Sequence, residues 1–527
     1  MTAWGLATTV LTQLVAQGVT DVVLSPGSRS APLAMAAREL DARGDLRLHV
    51  RVDERVAGFT ALGLAKASGR VVCIITTSGT AVGNLTPAIM EADAAGVGVL
   101  ALTADRPSHL VGTGANQTTN QLGQFGPAAR AVLRLGPGGG EQWWRAAAVR
   151  AWAAASGVRT RQPGPVQLNL EFDAPLMPTG PVPELPERIA VSPSARGATV
   201  ELSGRERAVV LVGDASVETG AEARALAELN GLPLFAEPSS NARAGDNAIA
   251  SYRLLLGTEL AGQIERVVVF GHPTLSRPVT QLLTQSGAEV IVVTGGAAWY
   301  DTGGRAAVVA DGVQLEVAPP EWLSAWQSAD RERLTRVDEA LGEGLSGQRV
   351  AAEVVAAGGQ VVFGSSNPIR DADLAPLGAA APTWANRGLA GIDGTIATAS
   401  GIALASGPTT LLLGDITFTH DLGALLVGPH EPRFDLRIVV ADDSGGSIFA
   451  TLEQGADDHR ASFERVFATP TGANIAALAA AAGASVTTAA SRNQLREALA
   501  RPITGVEVII VPIDRSERRG LDARLNG

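Results

Sequence analysis

A single cysteine in 527 residues excludes any intrachain disulfide. It lies in Val71-Val72-Cys73-Ile74-Ile75, where a thiol reads as a small buried apolar group. The six histidines are scattered, no two are adjacent, and no Cys/His cluster has zinc spacing. No run of about 18 uncharged apolar residues occurs, so no membrane-spanning helix is expected. Met1-Thr2-Ala3-Trp4 opens no signal-peptide pattern, which leads to the expectation of a cytoplasmic protein. Basic excess is also missing: the formal charge of −11 excludes the basic face that nucleic-acid binding needs. What is present is 46% hydrophobic residues, enough for several cores, in a chain long enough for roughly three to four domains.

Strand-like and helix-like runs alternate along the chain, the pattern of parallel sheets covered on both faces. The first third shows strands at 21–24, 46–52, 71–76, 97–103 and 166–170, with alanine-rich helices at 55–67 and 143–155 between them. Pro175, Pro178, Pro181, Pro183 and Pro186 then form a stiff linker. A second α/β unit follows at about 207–317, with strands at 209–212, 267–270 and 290–293, and the charged stretch 321–345 reads as a solvated helix. The third unit begins near Val350 and carries strands at 360–363 and 506–511 besides the two considered next. The expected fold class is α/β, with three doubly wound parallel-sheet domains at 1–180, 200–320 and 346–527. The glycine run Gly136-Pro137-Gly138-Gly139-Gly140 lacks a phosphate-loop lysine and a strand-to-helix setting, and reads as a loop.

The chemistry concentrates at strand ends. Thr410-Leu411-Leu412-Leu413 runs into Gly414-Asp415-Ile416, and Leu436-Arg437-Ile438-Val439-Val440 runs into Asp442-Asp443-Ser444-Gly445-Gly446. In an open parallel sheet, ligands bind at such ends. Magnesium takes one or two carboxylates plus phosphate oxygens, so Asp415, Asp443 and the Gly445 carbonyl form a candidate metal-diphosphate site. A Gly-Asp pair alone carries little weight. Gly213-Asp214 also follows a hydrophobic run but has no second acidic cluster, and reads as structural. Glu54, in Val52-Asp53-Glu54-Arg55, sits where a strand leads into a helix; alone it would be a favourable partner of the helix dipole.

Arginines recur at the same kind of position. Ser25-Pro26-Gly27-Ser28-Arg29-Ser30, Thr103-Ala104-Asp105-Arg106-Pro107, Ala115-Asn116-Gln117, Ser366-Asn367-Pro368-Ile369-Arg370 and Asn386-Arg387-Gly388-Leu389-Ala390-Gly391-Ile392-Asp393-Gly394 place them beside strands of an acidic chain. Such placement suits bidentate recognition of carboxylates. Together with Glu54 and Thr77-Ser78-Gly79-Thr80-Ala81, these segments resemble the 2-succinyl-5-enolpyruvyl-6-hydroxy-3-cyclohexene-1-carboxylate synthase family of menaquinone biosynthesis, within the thiamin-diphosphate enzymes. The resemblance covers the first and third units well and the middle one weakly.

The resemblance implies thiamin diphosphate with Mg2+ or Mn2+ as cofactors, and 2-oxoglutarate and isochorismate as substrates, joined by decarboxylation and 1,4-addition. It assigns Glu54 to the aminopyrimidine of the cofactor and Gly414, Ile392, Gly446, Ile448 and Phe449 to its other contacts, with Ile392 as the wedge between the rings. Ser28, Arg29, Arg106 and Gln117 become substrate contacts of the first unit, Arg277 of the middle one, and Ser366, Arg370 and Arg387 of the third. It further implies a homodimer or dimer of dimers with shared active sites. One position departs: most such enzymes have asparagine where this chain has Asp443, preceded by Asp442. Two other readings stand beside it. An acetolactate-synthase-like enzyme commonly binds a flavin in the middle domain, and 207–317 holds no convincing dinucleotide fingerprint. A noncatalytic paralogue would have no need of Glu54.

Overall fold

The computed structural model describes residues 2–526. The chain divides into two compact units: Met1–Ala195 with Asp393–Gly407 and Asp421–Phe434, and Arg196–Ile392 with Pro408–His420 and Asp435–Gly527.

The first unit is built on six strands: β1 (Asp21–Leu24), β2 (Arg47–Val50), β3 (Val72–Thr76), β4 (Val99–Asp105), β5 (Ala131–Leu135) and β6 (Val166–Glu171). They pair in parallel in the order β2-β1-β3-β4-β6-β5. Helices cover both faces, so the central strands β3, β4 and β6 are buried along their whole length. Cys73 is fully buried in β3, and burial pushes its thiol pKa up, which makes it an inert core residue. The helix Glu54–Ser68 starts at Asp53, whose carboxylate accepts from Arg55 N at 2.8 Å and Val56 N at 3.3 Å. Such a cap contributes about 1 kcal/mol. This helix packs on helix Thr395–Ser406 almost backbone to backbone: a Cβ on Gly63 would overlap the Thr398 carbonyl, and one on Gly401 the Thr60 carbonyl.

The second unit holds two large sheets. Its strands are β7 (Val200–Leu202), β8 (Ala208–Val212), β9 (Leu234–Ala236), β10 (Arg266–Phe270), β11 (Glu289–Val293), β12 (Ala306–Ala310) and β13 (Val313–Leu315), followed by β14 (Gln360–Phe363), β15 (Thr383–Ala385), β16 (Thr409–Gly414), β17 (Leu436–Asp442), β18 (Ser485–Thr488) and β19 (Val506–Pro512). The middle sheet runs β12-β11-β10-β8-β9, with β7 and β13 as a separate parallel pair, and the last sheet runs β15-β14-β16-β17-β19-β18. All these ladders are parallel, as the α/β reading expected.

The charged stretch expected as a solvated helix is helix Pro320–Leu341, and it is not solvated all round. Trp322, Trp326 and Val337 are buried, and the two tryptophans join the core of the middle sheet. Charges on the other face hid a stripe at positions 322, 326 and 337 that matches helical periodicity.

Strand order locates the crevices. It reverses between β1 and β3, between β8 and β10, and between β14 and β16, and ligands of open α/β sheets bind outside the carboxyl ends at such points. At the β8/β10 point the crevice is filled by backbone: Asp214 and His272 form an isolated bridge, and a Cβ on Gly213 would overlap Pro273 N. This accords with a structural role for Gly213-Asp214.

Candidate active site

At the β1/β3 point, the Ser25–Ser30 loop leaves β1 and Thr77–Gly79 leaves β3. Arg106, one residue past β4, donates from Nη1 to Ser78 Oγ and to the Gln117 carbonyl at 2.7 Å. Ser78 Oγ also donates to that carbonyl at 3.0 Å, and Gln117 Nε2 donates to Ser78 O at 2.9 Å. Gln117 is held at φ 54°, a left-handed conformation that non-glycine residues adopt at a cost and that clusters at functional sites. Arg29 donates to the Phe172 carbonyl at 2.8 Å, and its Nε has no partner. The Arg106 pKa is lowered by desolvation first and then by the nearby Arg29 charge, so these two guanidinium groups face one another's field. Ser28 is exposed beside them. The four expected contacts of this unit thus gather with Ser78, a pair of cations without a matching pair of anions.

Glu54 is half-buried on the first turn of its helix, with Asn84 Nδ2 donating to its Oε2 at 3.3 Å. The adjacent Arg55 approaches the buried Asp421 at 3.7 Å, and Asp421 accepts from Ala397 N at 2.9 Å. Burial pushes Asp421 up to about 7, against the opposing pull of the Ala397 N–H and Arg55. It ties the start of the Glu54 helix to the start of the helix packed on it.

At the β14/β16 point of the second unit, a cavity of about 260 Å³ is lined by all the residues assigned to the metal and diphosphate: Gly414, Asp415, Asp443, Gly445, Gly446, Ile448, Phe449 and Ile392. Asp415 is buried at the start of helix Asp415–His420, and burial, then Asp443, then Asp442 push its pKa up to about 7. Asp443 is pushed up to about 6, chiefly by burial; the hydroxyl of Ser447, which donates to its Oδ2, pulls the other way. Asn367 Nδ2 holds that hydroxyl at 2.6 Å. The Gly445 carbonyl accepts from Ser447 N at 3.1 Å and retains a second lone pair. Ser444, between Asp443 and Gly445, sits at φ 56°. Phe449 is half-buried on the cavity wall, its ring centroid 5.7 Å from that of Phe467. The buried Asp415 and the half-buried Asp443 lie close enough for the charge of Asp443 to raise Asp415, and Ser447 and Arg518 only partly offset burial at Asp443, so this donor set fits a divalent cation. Among the described residues no group of three or more His, Cys, Asp or Glu could hold a metal by itself. That suits magnesium, which completes its shell with phosphate and water oxygens.

The arginines of the second unit divide. Arg387 is 3% exposed, donates from Nη2 to Thr274 Oγ1 at 2.9 Å, and has no partner for Nε or Nη1. Arg370 donates to Ser366 O at 3.3 Å, and its pKa is lowered by desolvation, then by Arg387 and Arg253. Ser366 takes φ 73° and also lines the cavity. Arg277 stands apart: its side chain is 76% exposed and pairs with Glu453 at 3.3 Å. Sequence reasoning missed Arg253, which adds to this cationic group, and missed Thr274 and the buried Glu237 and Asp373 beside it. Glu237 directly follows β9, so the strand-end rule applied to the middle sheet would have found it.

Parallel sheets with carboxylates at one switch point and arginines at another, and a glutamate opening a helix, define the class: a thiamine-pyrophosphate enzyme. The family model for the N-terminal TPP-binding domain of thiamine pyrophosphate enzymes matches residues 5–124. The chain belongs to the family of 2-succinyl-5-enolpyruvyl-6-hydroxy-3-cyclohexene-1-carboxylate synthases. It is 49% identical to the synthase of that name from Kineococcus radiotolerans, over 96% of this chain and 94% of the relative. The synthases of Paenarthrobacter aurescens and a Nocardioides species are 47% and 44% identical, covering 100% and 99% of this chain and 96% and 97% of theirs.

Proposed function

We propose that the chain decarboxylates 2-oxoglutarate and adds the succinyl unit to isochorismate by 1,4-addition, through the residues assembled above. The observation that carries this reading is the pair formed by the buried Asp415 and the half-buried Asp443, which share a cavity with Gly445, Gly446 and Ile392. Asp415, Asp443 and the Gly445 carbonyl would hold Mg2+ or Mn2+, and Gly414 and Gly446 would lie along the diphosphate. Bound thiamin diphosphate supplies an electron sink for the charge left by decarboxylation. Glu54 would exchange a proton with a pyrimidine nitrogen of the bound cofactor, and Ile392, Ile448 and Phe449 would exclude water from the reacting end. Arg29, Arg106, Arg370 and Arg387 hold the carboxylates of two dicarboxylic substrates, which accounts for guanidinium groups that lack a salt bridge among the described residues. Ser28, Gln117 and Ser366 orient those carboxylates, and Arg277 contributes from the rim.

The same reading divides the chain into domains at 1–180, 200–320 and 346–527. It makes the working form a homodimer or dimer of dimers with shared active sites. Its place is the cytoplasm; among the described residues no helix is long and apolar enough to cross a membrane. The test is incubation with thiamin diphosphate, Mg2+ and 2-oxoglutarate, with and without isochorismate, read by mass spectrometry, with Glu54→Gln as control. A succinyl adduct formed only with both substrates, and nearly lost in the variant, is the expected result. Consumption of pyruvate in place of 2-oxoglutarate would favour an acetolactate-type enzyme, and no oxoacid turnover despite cofactor binding a noncatalytic protein.

A further inference from the structure

Glu237 is 1% exposed at the carboxyl end of β9 and has no task in the chemistry above. Its Oε1 accepts from the backbone N–H of Thr274 at 3.1 Å and of Leu275 at 2.9 Å. Those residues form the turn after β10, and among the described residues Thr274 Oγ1 is the one hydrogen-bond acceptor of the Arg387 guanidinium. The turn is clamped on its other side too, because the Leu275 side chain is buried in the core of the last sheet. A chain of contacts therefore runs from the Glu237 carboxyl through a backbone turn to an arginine whose Nε and Nη1 are buried and unpartnered.

We propose that Glu237 is a positioning residue for Arg387: it fixes the Thr274 turn through backbone N–H groups, and that turn presents the guanidinium to a substrate carboxylate. The proposal rests on the assignment of Arg387 to a dicarboxylic substrate. Burial and its acidic neighbours favour the uncharged form. Asp373 is already committed, accepting from Tyr252 Oη at 2.8 Å and lying 3.5 Å from Arg253 and 4.0 Å from Arg243. Glu237 has no such ion pair. Burial pushes its pKa up to about 8; the Leu275 N–H and Arg387 pull it down, and Asp373 and Asp214 push it further up. The remaining titratable groups nearby do not reverse this: burial lowers the His272 pKa, keeping that ring neutral, and the Tyr252 hydroxyl stays protonated because burial raises its pKa. Below pH 8 Arg387 thus meets a neutral carboxyl. Above it a buried carboxylate appears in the field of the same guanidinium and competes with substrate.

The experiment measures KM and kcat for 2-oxoglutarate and for isochorismate from pH 6.5 to 9.5 in wild type, Glu237→Gln, Glu237→Ala and Arg387→Ala. Arg387→Ala first shows which dicarboxylate depends on this arginine. For that substrate the wild-type KM should rise about fivefold through a midpoint near pH 8, with kcat changing far less. Glu237→Gln keeps the backbone acceptor and cannot ionise, so its KM should match wild type within about twofold at pH 7 and lack the alkaline rise. Glu237→Ala should raise KM about tenfold across the range because the turn is released. If Glu237→Ala does not fold, Glu237→Gln carries the test alone. An alkaline KM rise in Glu237→Gln identical to wild type overturns the proposal, and so does an Arg387→Ala enzyme with both KM values unchanged. Absence of 2-oxoglutarate turnover in wild type would instead overturn the proposed function.

Discussion

The carboxylate pair Asp415 and Asp443 and the arginine group Arg253, Arg370 and Arg387 pose the same electrostatic problem with opposite sign, and the second unit resolves it differently in each. Carboxylates titrate within the working range: burial moves Asp415 to about 7 and Asp443 to about 6, so protons relieve the repulsion until a metal arrives. Guanidinium groups do not release protons in that range. Their repulsion is offset by fixed acceptors instead: Ser366 O for Arg370, Asp373 for Arg253 and Thr274 Oγ1 for Arg387. On the proposed reading the anionic pocket is therefore a proton-or-metal site with an adjustable charge. The cationic one is permanently charged, and its adjustable element is a neighbouring acid, Glu237.

Removing a metal oxygen should break the comparison most severely. Asp415→Ala and Asp443→Ala are each expected to weaken apparent Mg2+ affinity by at least about 100-fold, since even residues behind a metal's ligands can cost 10–100-fold. Magnesium titrations of turnover and of thiamin diphosphate binding by calorimetry check this. Unchanged magnesium dependence in Asp443→Ala would remove that residue from the metal site. It would also leave the departure from the asparagine expected in most thiamin enzymes without a function.

Next comes the arginine side. Arg387→Ala removes a buried charged donor, a change of about 1.5–3 kcal/mol when a hydrogen bond to a charged group is lost. KM for one dicarboxylate should rise roughly 10–150-fold with the fold intact by circular dichroism. Arg387→Lys should recover only part, because an ammonium cannot reproduce the planar fork. Equal KM values in wild type and both variants would mean that the unpartnered nitrogens serve packing alone.

A smaller effect concerns stability without metal. Asp415 and Asp443 have folded pKa values raised above their unfolded ones. The stability they contribute is fully present below about pH 4 and is lost as pH rises through about 6 and 7. The metal-free protein should accordingly lose a few degrees of Tm between pH 5 and pH 8 by calorimetry. Saturating Mg2+ with thiamin diphosphate should reverse the trend, and Asp415→Asn should flatten it. A metal-free Tm that rises over the same interval would contradict the charge crowding.

Much of this was legible in the sequence, for a physical reason. Central parallel strands are buried on both faces, so 209–212, 267–270 and 361–363 announce themselves as unbroken apolar runs. Edge strands do not: Ala131–Leu135 and Ala306–Ala310 alternate between exposed and covered residues, and three-residue Thr383–Ala385 is too short to show a period. The carboxylates and glycines that line one cavity could be singled out from the sequence because they are local to two strand ends. Glu237, Thr274 and Arg253 were not, because their relation to Arg387 spans between 113 and 150 positions and exists only after β9, β10 and β15 are brought into one unit. The left-handed backbone at Gln117, Ser366 and Ser444 was likewise invisible, since neither glutamine nor serine advertises a positive φ.

Arg277 provides the weakest and most discriminating test, because it separates a charge near a site from a charge built into one. Sequence motif placed it with the substrate arginines, yet its side chain is 76% exposed and its partner Glu453 is 75% exposed. Exposed ion pairs contribute about 0–1 kcal/mol and are screened by salt. Arg277→Ala should therefore change KM by less than about fivefold, with the effect shrinking at high ionic strength. Arg387→Ala, acting from a buried position, should keep its full effect in the same salt series. If Arg277→Ala matched Arg387→Ala in size and in insensitivity to salt, Arg277 would have to leave Glu453 and bury itself against bound substrate. The carboxylate-binding arginines would then include one recruited by the ligand as well as those already held in place by Thr274, Ser366 and Asp373.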